Sequence, residues 1–152
     1  MSPAEAMDKL QKLTSMQEKC SADVVMLLKR WGIAPEHYPD ILNRLKEHHF
    51  IDDRRFAAAF VRDKILFDHW GFIKINYFLR QKGIPEKMIG ESFATVDRDE
   101  YASMIRRELG KKKKTLKGPP REIWVKLARY GTSRGYEMDL MHGFLDEIAR
   151  EE

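Results

Sequence analysis

Lysines and arginines are the side chains whose type and spacing suggest chemistry in this sequence. Arg54, Arg55, Arg62, Lys64, Lys74, Arg80 and Lys82 fall within residues 54–90, which hold eight Lys/Arg against three Asp/Glu, a net +5. Lys111, Lys112, Lys113, Lys114, Lys117 and Arg121 fall within residues 111–121, where six cations meet no acid, whereas residues 137–152 carry six acids and one arginine. Guanidinium groups fixed on a helix suit carboxylates and phosphates through paired hydrogen bonds, and ammonium groups bind phosphates as point charges. A basic middle and an acidic end point to an anionic partner, nucleic acid above all, with a merely solvated surface as the alternative. Arg55 and Arg62 are seven apart and share a helix face. Lys74 and Arg80 lie away from the Ile75–Leu79 stripe, and Lys82 stands at a helix end, where the dipole alone favours a cation. The run Lys111–Lys114 reads as a mobile electrostatic arm following a helix, or as a solvated helix end.

Other chemistries find little support. Asp52 and Asp53 open an apolar-periodic helix, where carboxylates cap orphan N–H groups and complement the dipole. A metal site built with His48 and His49 is the weaker alternative. Cys20 is the only cysteine and has no base placed beside it, so neither an intramolecular disulfide nor a multi-cysteine zinc site can form. The sequence has no phosphate-binding Gly-x-x-x-x-Gly-Lys-Ser/Thr loop and no His-Glu-x-x-His. The expectation is a protein without catalytic residues, metal or cofactor.

The elements that must position these cations read as helices throughout. Leu140, Met141, Phe144, Leu145 and Ile148 recur at helical spacing, as do Tyr101, Met104, Ile105 and Leu109, and Ile75, Phe78 and Leu79. No useful segment alternates with period two, so no strand is expected. Nine helices are predicted, over 3–15, 22–31, 37–48, 53–67, 72–82, 86–96, 98–112, 120–130 and 136–150. Gly32, Gly83 and Gly131 each close a Leu-x-x-x-Gly stretch, 51 and 48 residues apart, and suit left-handed helix ends. Three helices around each glycine predict tandem modules over residues 1–50, 51–97 and 98–152. The fold class expected is therefore all-α, an elongated tandem array of three three-helix repeats. The 152 residues suit one domain or a few small units, and the longest apolar run, Phe56–Val61, is far short of the roughly 20 residues of a membrane span. With no basic-then-apolar start and one cysteine, the expected setting is soluble and cytoplasmic.

The middle stretch carries a family likeness. Ile51-Asp52-Asp53-Arg54-Arg55-Phe56-Ala57 and Gly71-Phe72-Ile73-Lys74, closing on Leu79-Arg80-Gln81-Lys82-Gly83-Ile84, resemble the RecX family, bacterial regulators of the RecA recombinase. The family pattern resembles Asp-Asp-x-x-Phe-Ala, a Gly-led helix, then Leu-x-x-Lys-Gly-Ile. On this resemblance Asp52, Asp53, Phe56, Ala57, Gly71, Leu79, Gly83 and Ile84 are signature positions with mainly structural work. This chain departs from the pattern at Trp70, where a basic residue is common, at Phe72-Ile73-Lys74, where Pro-Arg-Arg is frequent, and at Phe78, where an acid is frequent. Lys117-Gly118-Pro119-Pro120-Arg121 lies closer to that missing pattern.

The resemblance implies binding to RecA assembled on single-stranded DNA, with limits on filament extension and recombinase activity in DNA repair and the SOS response. It also implies DNA contact through the basic residues, a monomer, and no membrane partner. The alternative is a RecA-independent DNA-binding module or transcriptional regulator. That reading needs base-contacting side chains at a helix start, for which the sequence offers only Asn76 and Gln81.

Overall fold

The structure is a computed structural model and describes residues 1–151. It is all-α. Among the described residues nine α-helices follow one another: α1 (Pro3–Met16), α2 (Ser21–Arg30), α3 (Tyr38–Glu47), α4 (Asp53–Leu66), α5 (Phe72–Gln81), α6 (Glu86–Ala94), α7 (Arg98–Lys113), α8 (Pro120–Arg134) and α9 (Met138–Arg150). A 3₁₀ turn, Pro35–His37, precedes α3, and no strand occurs among the described residues. The chain divides into two compact units, the first made of Met1–Ala59 with Leu79–Ser92, the second of Phe60–Phe78 with the chain from Phe93 onward.

In the first unit the helix stripes bury Ala6, Leu10, Val24, Leu28, Ile33, Ile41, Leu45 and Ile51 in one cluster. The helix ends are set by local chemistry. Ser2 and Glu5 form a reciprocal capping box at α1. Gly32 and Gly83 both adopt a φ of 75°, and the next N–H returns to the leucine that opens the motif, Ile33 to Leu28 at 3.0 Å and Ile84 to Leu79 at 3.1 Å. The leucine and the isoleucine of each pair are buried. This is the left-handed stop with its apolar contact, and it explains the Leu-x-x-x-Gly-Ile spacing. A third such stop carries no glycine: His49 has a φ of 59° and Phe50 N–H returns to Leu45 at 2.8 Å.

The expectation for Gly131 is corrected. α8 runs on to Arg134, and the left-handed end is Gly135, with a φ of 90° and Tyr136 N–H returning to the Gly131 carbonyl at 2.9 Å. Gly131 is needed for space instead, since a Cβ there would lie 2.1 Å from Met141 Sδ. The motif is thus present one turn later, with glycine in the leucine's place and Tyr136 in the isoleucine's.

The second unit packs α7, α8 and α9 around Tyr101, Ile105, Leu109, Leu127, Met141 and Leu145. The start of α5 is seated against the α8–α9 turn by backbone. Gly71 N–H donates to Arg134 O at 2.8 Å and Ile73 N–H to Gly135 O at 3.0 Å. The approach leaves no room for side chains: a Cβ on Gly71 would sit 2.2 Å from Gly135 O, and one on Gly135 would sit 2.5 Å from Lys74 N. Between these bonds, Phe72 N–H donates to Tyr101 Oη at 2.8 Å, and the Phe72 ring stacks on Tyr101 at 4.0 Å and on Phe93 at 4.3 Å.

Gly71→Ala and Gly135→Ala should each destabilise this unit by about 2–4 kcal/mol, because the clash is with backbone that cannot rotate away. Gly143→Ala, at an exposed position of α9 with nothing near the added methyl, should be neutral or stabilising by up to about 1 kcal/mol. Urea unfolding of the three variants checks the contrast, and equal midpoints would contradict it.

Candidate functional site: a basic and aromatic surface

In the first unit the predicted cations are held by acids of the same unit. Asp52 caps α4 by accepting from Arg54 N–H at 2.9 Å and Arg55 N–H at 3.1 Å. Asp53 reaches Ser21, accepting its N–H at 2.9 Å and so also satisfying the start of α2. Arg54 Nε lies 3.0 Å from the Glu91 carboxylate. Arg55 Nε lies 2.9 and 2.8 Å from the two Glu18 oxygens, while its Nη2 donates to His49 O at 3.1 Å. Arg55 therefore ties the left-handed His49 turn to α4 and Glu18. Arg80 pairs with Glu86.

Lys82 belongs to a tighter arrangement. Its Nζ donates to Asp23 Oδ1 at 2.6 Å and lies 5.6 Å from the centre of the Phe56 ring. The other Asp23 oxygen accepts Cys20 N–H at 3.1 Å. Burial pushes the Asp23 carboxyl up, but the Lys82 and Cys20 hydrogen bonds outweigh it and hold the group below its ordinary value. Burial also pushes the Cys20 thiol up to about 11, the opposite of what an activated nucleophile requires. Among the described residues no group of three or more His, Cys, Asp or Glu is arranged to hold a metal ion.

In the second unit, Arg62 is exposed, with Nε 3.5 Å from Asp63. Lys64 and Lys74 are brought together on one indole: their Nζ atoms lie 4.7 and 4.4 Å from the Trp70 ring. Lys64 also pairs with Asp68 at 3.2 Å. The lysine run is not a mobile arm. Lys111, Lys112 and Lys113 form the last turn of α7 and Lys114 caps it, an arrangement the helix dipole favours. Lys111 Nζ lies 3.3 Å from Glu108, Lys112 Nζ 5.3 Å from the Tyr130 ring, and Lys113 donates to the Glu151 carbonyl. Lys114, Lys117 and Arg121 are exposed. Arg121 lines a groove of about 460 Å³ with Pro120, Trp124, Val125, Asp146 and Arg150.

Sequence reasoning missed the residues that hold this surface in place. Tyr101 accepts from Phe72 N–H and donates to Glu137, and burial, then Glu137, raises its phenol far above the usual range. Tyr136 donates to His69 O at 2.6 Å, and burial pushes its phenol up to about 12. Arg134 donates to Asp68 O. The available signal was Gly135, which follows Gly131 by one helical turn.

Comparison with known proteins adds the following. A family model described as the second three-helix domain of RecX matches residues 52–92, the stretch containing all eight signature positions. The chain is 32% identical over 121 residues to the regulatory protein RecX of Prosthecochloris aestuarii, covering 80% of this chain and 78% of that one. It is 32% identical over 111 residues to the RecX protein of Clostridium tetani, covering 71% and 50%, and 25% identical over 134 residues to that of Streptococcus agalactiae, covering 88% and 52%. The match thus spans about half the length of these last two relatives. A crystal structure of a regulatory protein RecX superposes with a TM-score of 0.83 at 26% identity, covering 95% of this chain and 73% of that one. RecX from Lactobacillus salivarius shares the fold at a TM-score of 0.78 and 17% identity, covering 96% of each chain.

The Asp23–Lys82 pair gives a signed expectation. A carboxyl held below its unfolded value of about 3.9 contributes stability at higher pH and loses it as pH falls through the folded value. Asp23→Asn should therefore flatten the stability change between neutral pH and about pH 3. Lys82→Met should cost about 1–3 kcal/mol at pH 7, because it strands a half-buried carboxylate. Denaturant titrations across that pH range check both; a Lys82→Met protein as stable as the parent would show the pair to be inconsequential.

Proposed function

This chain belongs to the RecX family of regulatory proteins, and on that premise we propose that it binds RecA filaments assembled on single-stranded DNA and limits their extension and recombinase activity. The observation that carries this reading is the family likeness itself, which covers 80% of the chain, includes the middle three-helix stretch, and extends to the fold. The structure supports it in a second way. Most signature residues are used up in helix ends and packing, so the signature specifies a scaffold, and contact with a partner falls to exposed cations such as Lys114, Lys117, Arg121 and Arg62. DNA held by these residues would be bound through phosphate, without base reading. Asn76 and Gln81 sit in the middle and at the end of α5, away from its N-terminus, which gives no support to a sequence-reading helix.

The test is the ATP hydrolysis of RecA on circular single-stranded DNA, with this protein added in increasing amounts. The expected outcome is a falling rate, steepest when the protein is added before filaments are complete. An unchanged rate at concentrations where the protein itself binds the DNA would overturn the proposal and favour a module that works on DNA alone.

A further inference from the structure

We propose that Tyr77 and Phe78 on the outer face of α5, together with Trp70 just before the helix, form a stacking platform for the bases of single-stranded nucleic acid, with Lys64 and Lys74 placed to meet the adjoining phosphates. All of these residues lie within the Phe60–Phe78 segment of the second unit.

α5 carries apolar and aromatic side chains on its outer side as well as its inner one. Its inner side buries Phe72, Ile75 and Leu79, yet its outer side leaves Ile73 56%, Tyr77 58% and Phe78 37% exposed. Lys74, Asn76, Arg80 and Gln81 supply the polar positions of this helix, so exposed apolar and aromatic side chains among them mark a candidate binding surface. The rings form a connected run: half-buried Trp70 lies 5.0 Å from exposed Phe78 at a 35° tilt, and Phe78 and Tyr77 meet edge to face at 5.4 Å. Among the described residues the ring contact of Tyr77 is this edge-to-face one, and the side chain remains largely exposed to solvent. Lys64 and Lys74 flank the run through their contacts with Trp70. Lys64 also pairs with Asp68, whose carboxylate is exposed, and a pair open to solvent on one side is weak and can be exchanged for a phosphate.

Exposed rings beside ammonium groups match the alternation of base and phosphate along a single strand, and every base has a face to stack, so binding would be tolerant of sequence. A protein partner would need no such alternation. The platform is also held firmly, because the Gly71–Gly135 contact fixes the first turn of α5, from which Lys74 projects. The inference goes beyond the proposed regulatory role, since it requires no recombinase.

The experiment uses the full chain without RecA. Fluorescence anisotropy measures its binding to a labelled dT15 oligonucleotide and to an abasic oligomer of the same length, which keeps the phosphates and lacks the bases. The unmodified protein should bind dT15 about ten-fold tighter than the abasic strand, as expected for one or two stacked bases. Tyr77→Ala should weaken dT15 binding about ten-fold and leave the abasic strand unaffected, whereas Tyr77→Phe, which keeps the ring, should bind like the parent. Replacing Lys64 and Lys74 by glutamine should weaken both strands equally and flatten the salt dependence. Equal affinity of the unmodified protein for the two strands would overturn the platform and needs no variant to fold. So would a Tyr77→Ala protein with unchanged dT15 binding; if that variant lost its effect on RecA instead, the face would be a protein-docking surface.

Discussion

Gly71 and Gly135 touch backbone to backbone, and the second unit is built outward from that contact. Because neither residue has a side chain, the turn before α5 can descend onto the turn between α8 and α9 until main-chain N–H groups reach main-chain carbonyls. The residue after each glycine is then fixed. Phe72 is set so that its N–H meets the Tyr101 hydroxyl and its ring meets Phe93 and Tyr101, and Tyr136 is set so that its hydroxyl meets His69 O. Stacked rings of this kind add about 0.5–1.5 kcal/mol each beyond their buried area. An unmade buried hydrogen bond costs about 1–3 kcal/mol. A displacement at the glycines would forfeit several of these contacts at once, which is why two residues without side chains weigh so heavily.

The same economy runs through the first unit. Asp52 and Asp53 cap two different helices, Gly83 and Ile84 close α5 onto Leu79, and Lys82 satisfies an aspartate whose other oxygen caps α2. The residues that make the middle stretch recognisable are therefore mostly those that end helices. The side chains that the scaffold does not consume include the exposed cations Lys114, Lys117 and Arg121 and the rings of Tyr77 and Phe78.

Much of this was legible in the sequence because helices announce themselves locally. Apolar residues at i, i+3 and i+4 place all nine helices within a few residues of their observed ends, and a glycine followed by isoleucine marks two of the stops. Gly131 misled because a glycine can serve close packing as well as a left-handed turn, and only its contact with Met141 tells the two apart. His49 was invisible because its side chain does not advertise a positive φ. For the candidate surface the cations were legible by type, but their partners were not: Glu18 and Glu91 are each 37 positions from the arginine they hold, and Asp23 is 59 from Lys82. Charge runs describe neighbours along the chain, while these pairs are neighbours only in the fold. The lysine run shows the same limit, since four adjacent lysines read as a loose arm until the helix carrying them is seen to continue.

Native-state amide hydrogen exchange tests the glycine contact most directly. The amides of Gly71, Phe72 and Ile73, though they belong to a turn and the first residues of a helix, should exchange as slowly as amides in the middle of α7, because each is released only when the whole unit opens. Rapid exchange at these three amides, with α7 still protected, would show that the turn opens by itself and that the rest of the unit does not depend on it.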